Sequence, residues 1–157
     1  MTASTTLRLM SALNMIIKKE VITMGMYTEL VLGVKIKPVK EVAQKLNYML
    51  HENVEDIHFD HPLFSDKTRW DDMLLCDSYY FDGQTDSKLV YDTFIQSYYL
   101  NVRCNLKNYY NEIKLFLDWL CPYIETDGFL GYTRYEEHDD PTLIYKENGK
   151  IVYKDWR

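Results

Sequence analysis

Five residues near the middle of the chain have side chains that could bind a metal ion. Imidazole and carboxylate oxygen are both competent ligands for a divalent cation, and they are supplied by His51, His58, His61, Asp56 and Asp60. Such a site would support a small metal-dependent hydrolase. The H-x-x-H spacing lies in an irregular acidic stretch, however. In the metalloprotease motif a helix brings the two histidines to one face, and that helix is not predicted here. Chance clustering of polar residues is the commoner explanation, so no metal or cofactor is assigned, and His58 and His61 stay weak candidates.

Other catalytic pairings are also weak. Two carboxylates can divide acid and base roles when their environments differ, and adjacent acids occur at Asp71 and Asp72, Glu136 and Glu137, and Asp139 and Asp140. Neighbouring residues on a strand face opposite sides, however, so only some of these could converge. Cys104 and His138 could be a thiol and its base, but Cys104 falls on the apolar side of a predicted strand. The sequence contains no nucleophile elbow and no Gly-rich phosphate loop, so no catalytic residue is predicted.

An acidic insert between residues 52 and 92 is the most informative feature of the sequence. It holds eleven of the 24 acidic residues and three bases, Lys67, Arg69 and Lys88, which gives a net charge of −8. Aromatic residues are interleaved with these charges. Such a surface repels phosphate backbones and membranes, and it offers aromatic anchors to a basic protein. We therefore expect a protein partner with a basic surface, and neither direct nucleic-acid binding nor membrane association.

Ten acidic and aromatic residues are predicted to bind this partner. The chain has 14 tyrosines, and tyrosine supplies a rigid amphipathic surface at low entropy cost. Neighbouring tyrosines on a strand point oppositely, so they cannot all be buried. A wet sheet face with ordinary aromatic cross-strand pairs explains them equally well. The predicted partner-binding residues are Trp70, Asp71, Asp72, Asp77, Tyr79, Tyr99, Glu136, Glu137, Asp139 and Asp140.

The composition is that of one globular domain. The 157 residues are 46% hydrophobic and 27% charged, and the formal net charge is −6. Three scattered cysteines form no C-x-x-C pair, which is typical of reduced thiols in a cytoplasmic protein. No apolar run approaches the roughly 18 residues that a membrane span requires.

The first 23 residues differ in composition from the rest of the chain. They contain one acid and three bases, and Lys18 and Lys19 follow the apolar stretch, the reverse of the order in a secretory signal. We interpret residues 1–23 as a leader or an upstream extension outside the native protein, with the start at Met24 or Met26. The alternative is an amphipathic helix that packs on the body or on a partner. Residues 24–157 would then form a single α+β domain, with the acidic insert at 52–92.

The hydrophobic periodicity of this body predicts alternating strands and helices. Apolar residues at every second position predict strands, helical spacing after Pro38 predicts a helix, and Asn108 is a credible N-cap for a second helix that Pro122 ends. The Asn148-Gly149 pair is the strongest turn signal, because both positions of a type I′ turn need positive φ. The expected strands are 27–37, 74–81, 88–91, 94–107, 129–136, 142–146 and 151–153, with a turn at 82–84, helices at 38–51 and from 108, and a loop at 52–69 followed by a helical turn near Trp70.

This order predicts an α+β fold. We expect a mainly antiparallel sheet with two helices packed on one face, ferredoxin-like with extra strands. In the long strand 94–107, even-numbered residues from Tyr98 to Leu106 should face the core, and odd-numbered residues should face water.

Three segments resemble those of small α+β proteins carried by bacteriophages and prophages: MYTELVLGVKIK, NLKNYYNEIKLFLDWLCPYI and GYTRYEEHDDPTLIYKENGK. The resemblance spans most of residues 26–153 and brings no assigned catalytic residues. It implies a cytoplasmic accessory protein of a mobile element in a bacterial host, for which binding to a host or defence protein is a common role. We therefore expect a non-enzymatic interaction protein, for example an inhibitor of a bacterial defence system. Three alternatives stay open: a toxin-immunity protein, a sponge that stacks nucleotides on exposed tyrosines, and the small metal-dependent hydrolase.

Overall fold

A six-stranded antiparallel sheet with two helices forms the framework of the computed structural model, which describes residues 26–157. The predictions made for residues 1–23 lie outside this range. The strands are β1 (Thr28–Ile36), β2 (Lys88–Asp92), β3 (Ser97–Leu106), β4 (Gly128–Tyr135), β5 (Thr142–Glu147) and β6 (Lys150–Asp155), and the helices are α1 (Lys40–Met49) and α2 (Glu112–Leu120).

The strand order across the sheet is β2-β3-β1-β4-β5-β6, and every neighbouring pair is antiparallel. Helix α1 connects β1 to β2, and β3 lies between these two strands. Helix α2 connects β3 to β4 in the same way, across β1. The predicted α+β class, with an antiparallel sheet and two helices, is confirmed. The ferredoxin-like detail stays a prediction.

The core lies between the helices and one face of the sheet. On β1 the residues Leu30, Leu32, Val34 and Ile36 are buried. On β3 the predicted even-numbered residues from Leu100 to Leu106 are buried beside them, whereas Tyr98, also predicted to face the core, is only partly buried. Both helices contribute apolar residues to the same cluster, including Val42, Leu46, Phe116 and Leu120. Each such fully buried side chain contributes about 1.5–3 kcal/mol relative to its exposed state. The opposite face of β1, β3 and β4, here called the open face, carries the polar residues that matter for the site.

The predicted strand at residues 74–81 is wrong. Residues 70–75 form turns, and residues 76–87 run as an irregular loop. Met73 and Leu74 are both buried, which consecutive residues of a half-buried strand cannot achieve because their side chains point to opposite faces. The predicted turn at 82–84 therefore joins no hairpin.

The hairpin forms instead between β2 and β3, through residues 93–96. One Asp92 carboxylate oxygen accepts hydrogen bonds from the backbone N–H groups of Phe94 and Ile95 at 2.8 and 3.2 Å, an arrangement that favours a turn. Gln96 has a positive φ of 54°. For these reasons β3 begins at Ser97 and not at residue 94.

The start of α2 also differs from the prediction. The helix begins at Glu112, and Asn111 occupies the N-cap position with φ 57°. Asn108 still accepts a hydrogen bond from the N–H of Ile113 at 3.0 Å, so its side chain satisfies a first-turn donor from outside the helix. At the other end of the chain, the predicted tight hairpin is present, because Asn148 and Gly149 have φ 51° and 74° between β5 and β6.

Candidate functional site

The candidate site lies at one end of the sheet, where acidic and aromatic residues meet. Because the strands are antiparallel, the start of β1, the ends of β3 and β4 and the start of β5 lie side by side there, and Thr28 is paired with both Leu106 and Tyr135. The acidic turn between β4 and β5 belongs to this end. We use the name acidic rim for the six predicted residues found here: Asp77, Tyr79, Glu136, Glu137, Asp139 and Asp140.

A stacked pair of tyrosines projects from the acidic rim. Tyr79 is 90% exposed, and its ring stacks on that of Tyr80 with the centroids 4.9 Å apart and the planes 21° from parallel. The ring of Tyr80 in turn lies 5.8 Å from that of Tyr27, just before β1. A side-chain hydrogen bond with Tyr79 raises the pKa of Tyr80, and the Glu136 carboxylate acts in the same direction. Tyr80 is therefore held in its protonated form, and the stacked pair is an aromatic platform bordered by carboxylates.

A buried charge network beneath the tyrosine pair holds the loop that carries it. Glu29 on β1 is 1% exposed, and its carboxylate oxygens accept a hydrogen bond from the Tyr132 hydroxyl at 2.8 Å and lie 3.5 Å from the Arg134 guanidinium and 3.8 Å from that of Arg103. The Arg134 guanidinium lies 5.2 Å from the centroid of Phe81, which is itself buried. Because Phe81 follows the tyrosine pair directly, the network positions that pair over the open face.

The same loop is fastened to the outer side of β3. Asn105 donates its backbone N–H to the carbonyl of Cys76 at 3.0 Å, and Asp86 donates its own to the carbonyl of Arg103 at 2.9 Å. Between these anchors, Gly83 passes so close to Arg103 that a Cβ atom would lie 1.8 Å from its guanidinium. A loop held at both ends and in the middle loses little further entropy when a partner binds.

Asp71 and Asp72 extend the acidic surface from the rim toward α1. Both are exposed, and one Asp72 oxygen lies 3.1 Å from the His51 imidazole. Burial raises the pKa of the Cys76 thiol, and the Asp72 carboxylate raises it further. Asp77 of the rim lines a small cavity of about 160 Å³ together with Arg69, and the Arg69 carbonyl accepts a hydrogen bond from the Asp72 N–H at 3.3 Å.

Trp70 is not an exposed aromatic residue of this surface. It is half-buried, and its ring centroid lies 4.1 Å from the ammonium of Lys45 on α1. Lys45 is 2% exposed, donates to Asp56 at 2.7 Å and to the carbonyl of Ile57 at 2.8 Å, and lies 4.3 Å from the Phe64 centroid. Together these contacts of Lys45 attach the acidic insert to α1.

Tyr99 lies far from the other predicted residues. It pairs with Lys35 on β1, seven residues along the strand from Thr28, which corresponds to about 23 Å at the usual rise per residue. The Lys35 ammonium lies 5.8 Å from its ring centroid. Tyr99 is therefore on the open face but not in the acidic rim.

A groove of about 350 Å³ lies on the helix side of the rim. Asp140 contributes to its wall and lies 3.6 Å from the guanidinium of Arg157. Burial raises the pKa of Tyr135 in the same wall, and Glu137 acts in the same direction. The groove thus combines a protonated phenol with a carboxylate, and its lining is Met26, Thr28, Asn108, Tyr109, Thr133, Tyr135, His138, Asp140 and Thr142.

The histidines considered for a metal site have other surroundings. Within residues 26–157, no group of three or more His, Cys, Asp or Glu side chains is arranged to hold a metal ion. The His61 ring accepts a hydrogen bond from the N–H of Leu63 at 3.1 Å, and His58 is exposed. In the same range, neither helix has the length and hydropathy that crossing a bilayer requires.

Two features of the site were not predicted from the sequence. Lys45 falls within the apolar stripe of α1, three residues after Val42 and four before Met49, and this spacing could have identified it as a buried lysine. Glu29 offered no such signal, because its two arginine partners become neighbours only once the strand register is known.

Comparison with protein-family models, with curated proteins and with solved structures yielded no match for this chain. A function therefore has to be inferred from the side chains of the site itself.

Proposed function

We propose that this protein is a non-enzymatic interaction module, and that its acidic rim binds a basic surface of a partner protein. The observation that carries the proposal is the exposed tyrosine pair of Tyr79 and Tyr80, held in place by Phe81 and bordered by carboxylates. Aromatic residues at the centre of an interface supply most of the binding free energy, and surrounding charges select the partner and accelerate encounter.

The charge of the surface supports a basic partner. The rim and the adjoining pair Asp71 and Asp72 supply seven carboxylates, and the buried Glu29 adds an eighth. Within residues 26–157, the bases close to them are five: Arg69, Lys107 and Arg157, together with Arg103 and Arg134, which share Glu29. The excess of negative charge attracts lysine- and arginine-rich surfaces and repels phosphates. Such a surface can also occupy a groove that a nuclease uses for nucleic acid, and so inhibit it.

The partner class follows from the resemblance to proteins of bacteriophages and prophages. For a cytoplasmic accessory protein of a mobile element, the partner would be a host or defence protein with a basic surface, and the biological role would be inhibition of that protein. A toxin neutralised by an immunity protein would be recognised by the same chemistry.

The test is affinity capture from a bacterial lysate with matched charge variants of the full chain. The rim variant carries Glu137→Lys and Asp139→Lys. The control carries Glu41→Lys at the start of α1 and Asp127→Lys before β4, which are also exposed and lie toward the opposite end of the sheet. We expect one basic protein to be captured by the wild type and by the control but lost with the rim variant, because only the rim variant reverses charge at the interface.

Capture of the same proteins by the rim variant and the control would overturn the proposal. If the rim variant does lose the partner, a second variant with Asp71→Lys and Asp72→Lys measures how far the interface extends toward α1. Circular dichroism of each variant separates lost binding from lost folding.

The groove favours a second candidate function, binding of a nucleoside. Its walls carry the Tyr109 and Tyr135 rings together with the Asn108 amide, and these groups suit stacking and hydrogen bonding to a base. Asp140 disfavours a phosphate in the same place. A nucleoside that binds should raise the melting temperature by mass action, whereas ATP should raise it less. No shift with adenosine, guanosine, cytidine or uridine would exclude this function.

A further inference from the structure

Strand β2 is an outer edge of the sheet and carries exposed apolar residues. Among the described residues, its only strand neighbour is β3. Val90 and Tyr91 are about half exposed, and Phe94 in the following turn is 95% exposed. An edge strand of this kind offers backbone N–H and C=O groups to another strand.

The sequence of β2 is complementary to itself in the antiparallel direction. If the strand pairs with a second copy about Val90, Lys88 lies opposite Asp92 of the copy at both ends, and Leu89 lies opposite Tyr91. Opposite charges in directly opposed positions stabilise a strand pair, and so do aliphatic–aromatic pairs. Lys88 has no ion pair within residues 26–157, so its charge is available for this contact.

The register is restricted by the geometry of the sheet. Directly opposed residues of two antiparallel strands have side chains on the same face, so a symmetric pair must be centred on a residue and not between two residues. Centring on Val90 uses the whole of β2. Centring on a neighbouring residue would remove the contact between Lys88 and Asp92.

The Asp92 carboxylate is held in a suitable orientation for this pair. Its Oδ1 atom accepts the two backbone hydrogen bonds of the turn at 2.8 and 3.2 Å. Within residues 26–157 its second oxygen has no hydrogen-bond partner, so this oxygen can face a lysine. On the open face Lys88, Val90 and Asp92 are paired with Asn101, Tyr99 and Ser97 of β3. The two copies would therefore continue one sheet with their helices on the same side.

We propose that β2 pairs with β2 of a second copy of this chain, forming a two-fold symmetric dimer with a continuous twelve-stranded sheet. The contact consists of one short strand and one turn from each copy, which is less than a standard interface, so the dissociation constant should lie in the micromolar range. The acidic rim lies at the other end of β3 and is left exposed in both copies. The dimer is therefore independent of the proposed function.

Sedimentation velocity of the full chain over a series of concentrations tests this proposal. We expect the wild type to shift from monomer to dimer as its concentration rises. Lys88→Glu should weaken the dimer about tenfold, because two attractive cross-strand pairs become repulsive. The control is Lys150→Glu, which makes the same charge change at an exposed position of the opposite edge strand β6, and it should leave the dimer unchanged.

Two results would overturn the proposal. The first is a wild-type chain that stays monomeric at every concentration. The second is an equal response to Lys88→Glu and Lys150→Glu, which would indicate general charge repulsion instead of this register. Circular dichroism confirms that both variants are folded, and hydrogen exchange of the β2 amides should slow with concentration in the wild type.

Discussion

Replacing Gly131 with alanine should destabilise the sheet at the junction between β1 and β4. Gly131 has φ 156° and lies opposite Leu32, where β4 passes directly beside the backbone of β1. A Cβ atom at this position would lie 1.9 Å from the carbonyl oxygen of Val31 and 2.9 Å from its carbonyl carbon. Both obstacles are backbone atoms of a central strand, so no side chain can rotate away to make room.

The magnitude follows from the movement that the clash requires. The two strands must separate by more than an ångström at this point, which strains a core that is already packed and costs about 1–3 kcal/mol. The separation also weakens ladder hydrogen bonds near one end of the pairing between β1 and β4, each with a net value of about 1 kcal/mol. We expect a total loss of about 3 kcal/mol or more, a large part of the 5–15 kcal/mol that stabilises a typical domain.

Urea denaturation followed by circular dichroism measures this loss, with Gly33→Ala as the matched control. Gly33 lies in β1, one residue after the partner of Gly131, and the nearest atom to its added Cβ would be an Asn101 oxygen at 3.9 Å. Alanine there should be neutral or stabilise by roughly 0.5–1 kcal/mol, because glycine loses more conformational entropy on folding. Equal midpoints for the two variants would refute the close approach of β4 to β1.

Two further predictions concern side chains. Phe81→Ala should lower the free energy of unfolding by about 2–4 kcal/mol, because Phe81 is buried under Arg134. The control Tyr79→Ala, two residues away and 90% exposed, should change it by less than about 0.5 kcal/mol. Similar urea midpoints for the two variants would contradict the anchoring of the loop by Phe81. Burial raises the pKa of Tyr153 to about 12, and Asp118 adds to the shift. Protonated Tyr153 should therefore contribute fully to the free energy of unfolding below its unfolded pKa of about 10, and this contribution should be lost as the pH rises from there toward 12. In thermal denaturation, Tyr153→Phe should lose less stability than the wild type over this pH range.

Local patterns were sufficient to predict those parts of the fold that depend on neighbours in sequence. The alternation through Leu30, Leu32 and Val34 predicts β1, and Asn148 with Gly149 predicts the last hairpin, because both signals act within a few residues. The loop at 76–87 could not be predicted in this way. It follows β3 through hydrogen bonds of Cys76 and Asp77 with Asn105 and of Asp86 and Ser87 with Arg103, and these partners lie far along the chain.

The same distinction separates the parts of the site. The sequence alone shows the predicted carboxylates, and the antiparallel sheet brings five of them, those of the acidic rim, to one end. Trp70 is different, because its role depends on the buried ammonium of Lys45, and a sequence signal for an exposed aromatic anchor is the same as that for a half-buried one. The sequence also does not show which end of β3 lies at the rim, so it could not separate Tyr99 from the rim residues.

The buried Glu29 explains why the tyrosine pair occupies one defined place. A buried ion pair contributes little net stability, because desolvation offsets the attraction. Glu29 nevertheless fixes the register of three strands, since it lies opposite Asn105 on β3 and Arg134 on β4. A slip of one residue would turn its carboxylate toward the apolar core and away from both arginines. The position of Phe81, and with it the tyrosine platform, is therefore determined by the pairing at the centre of the sheet.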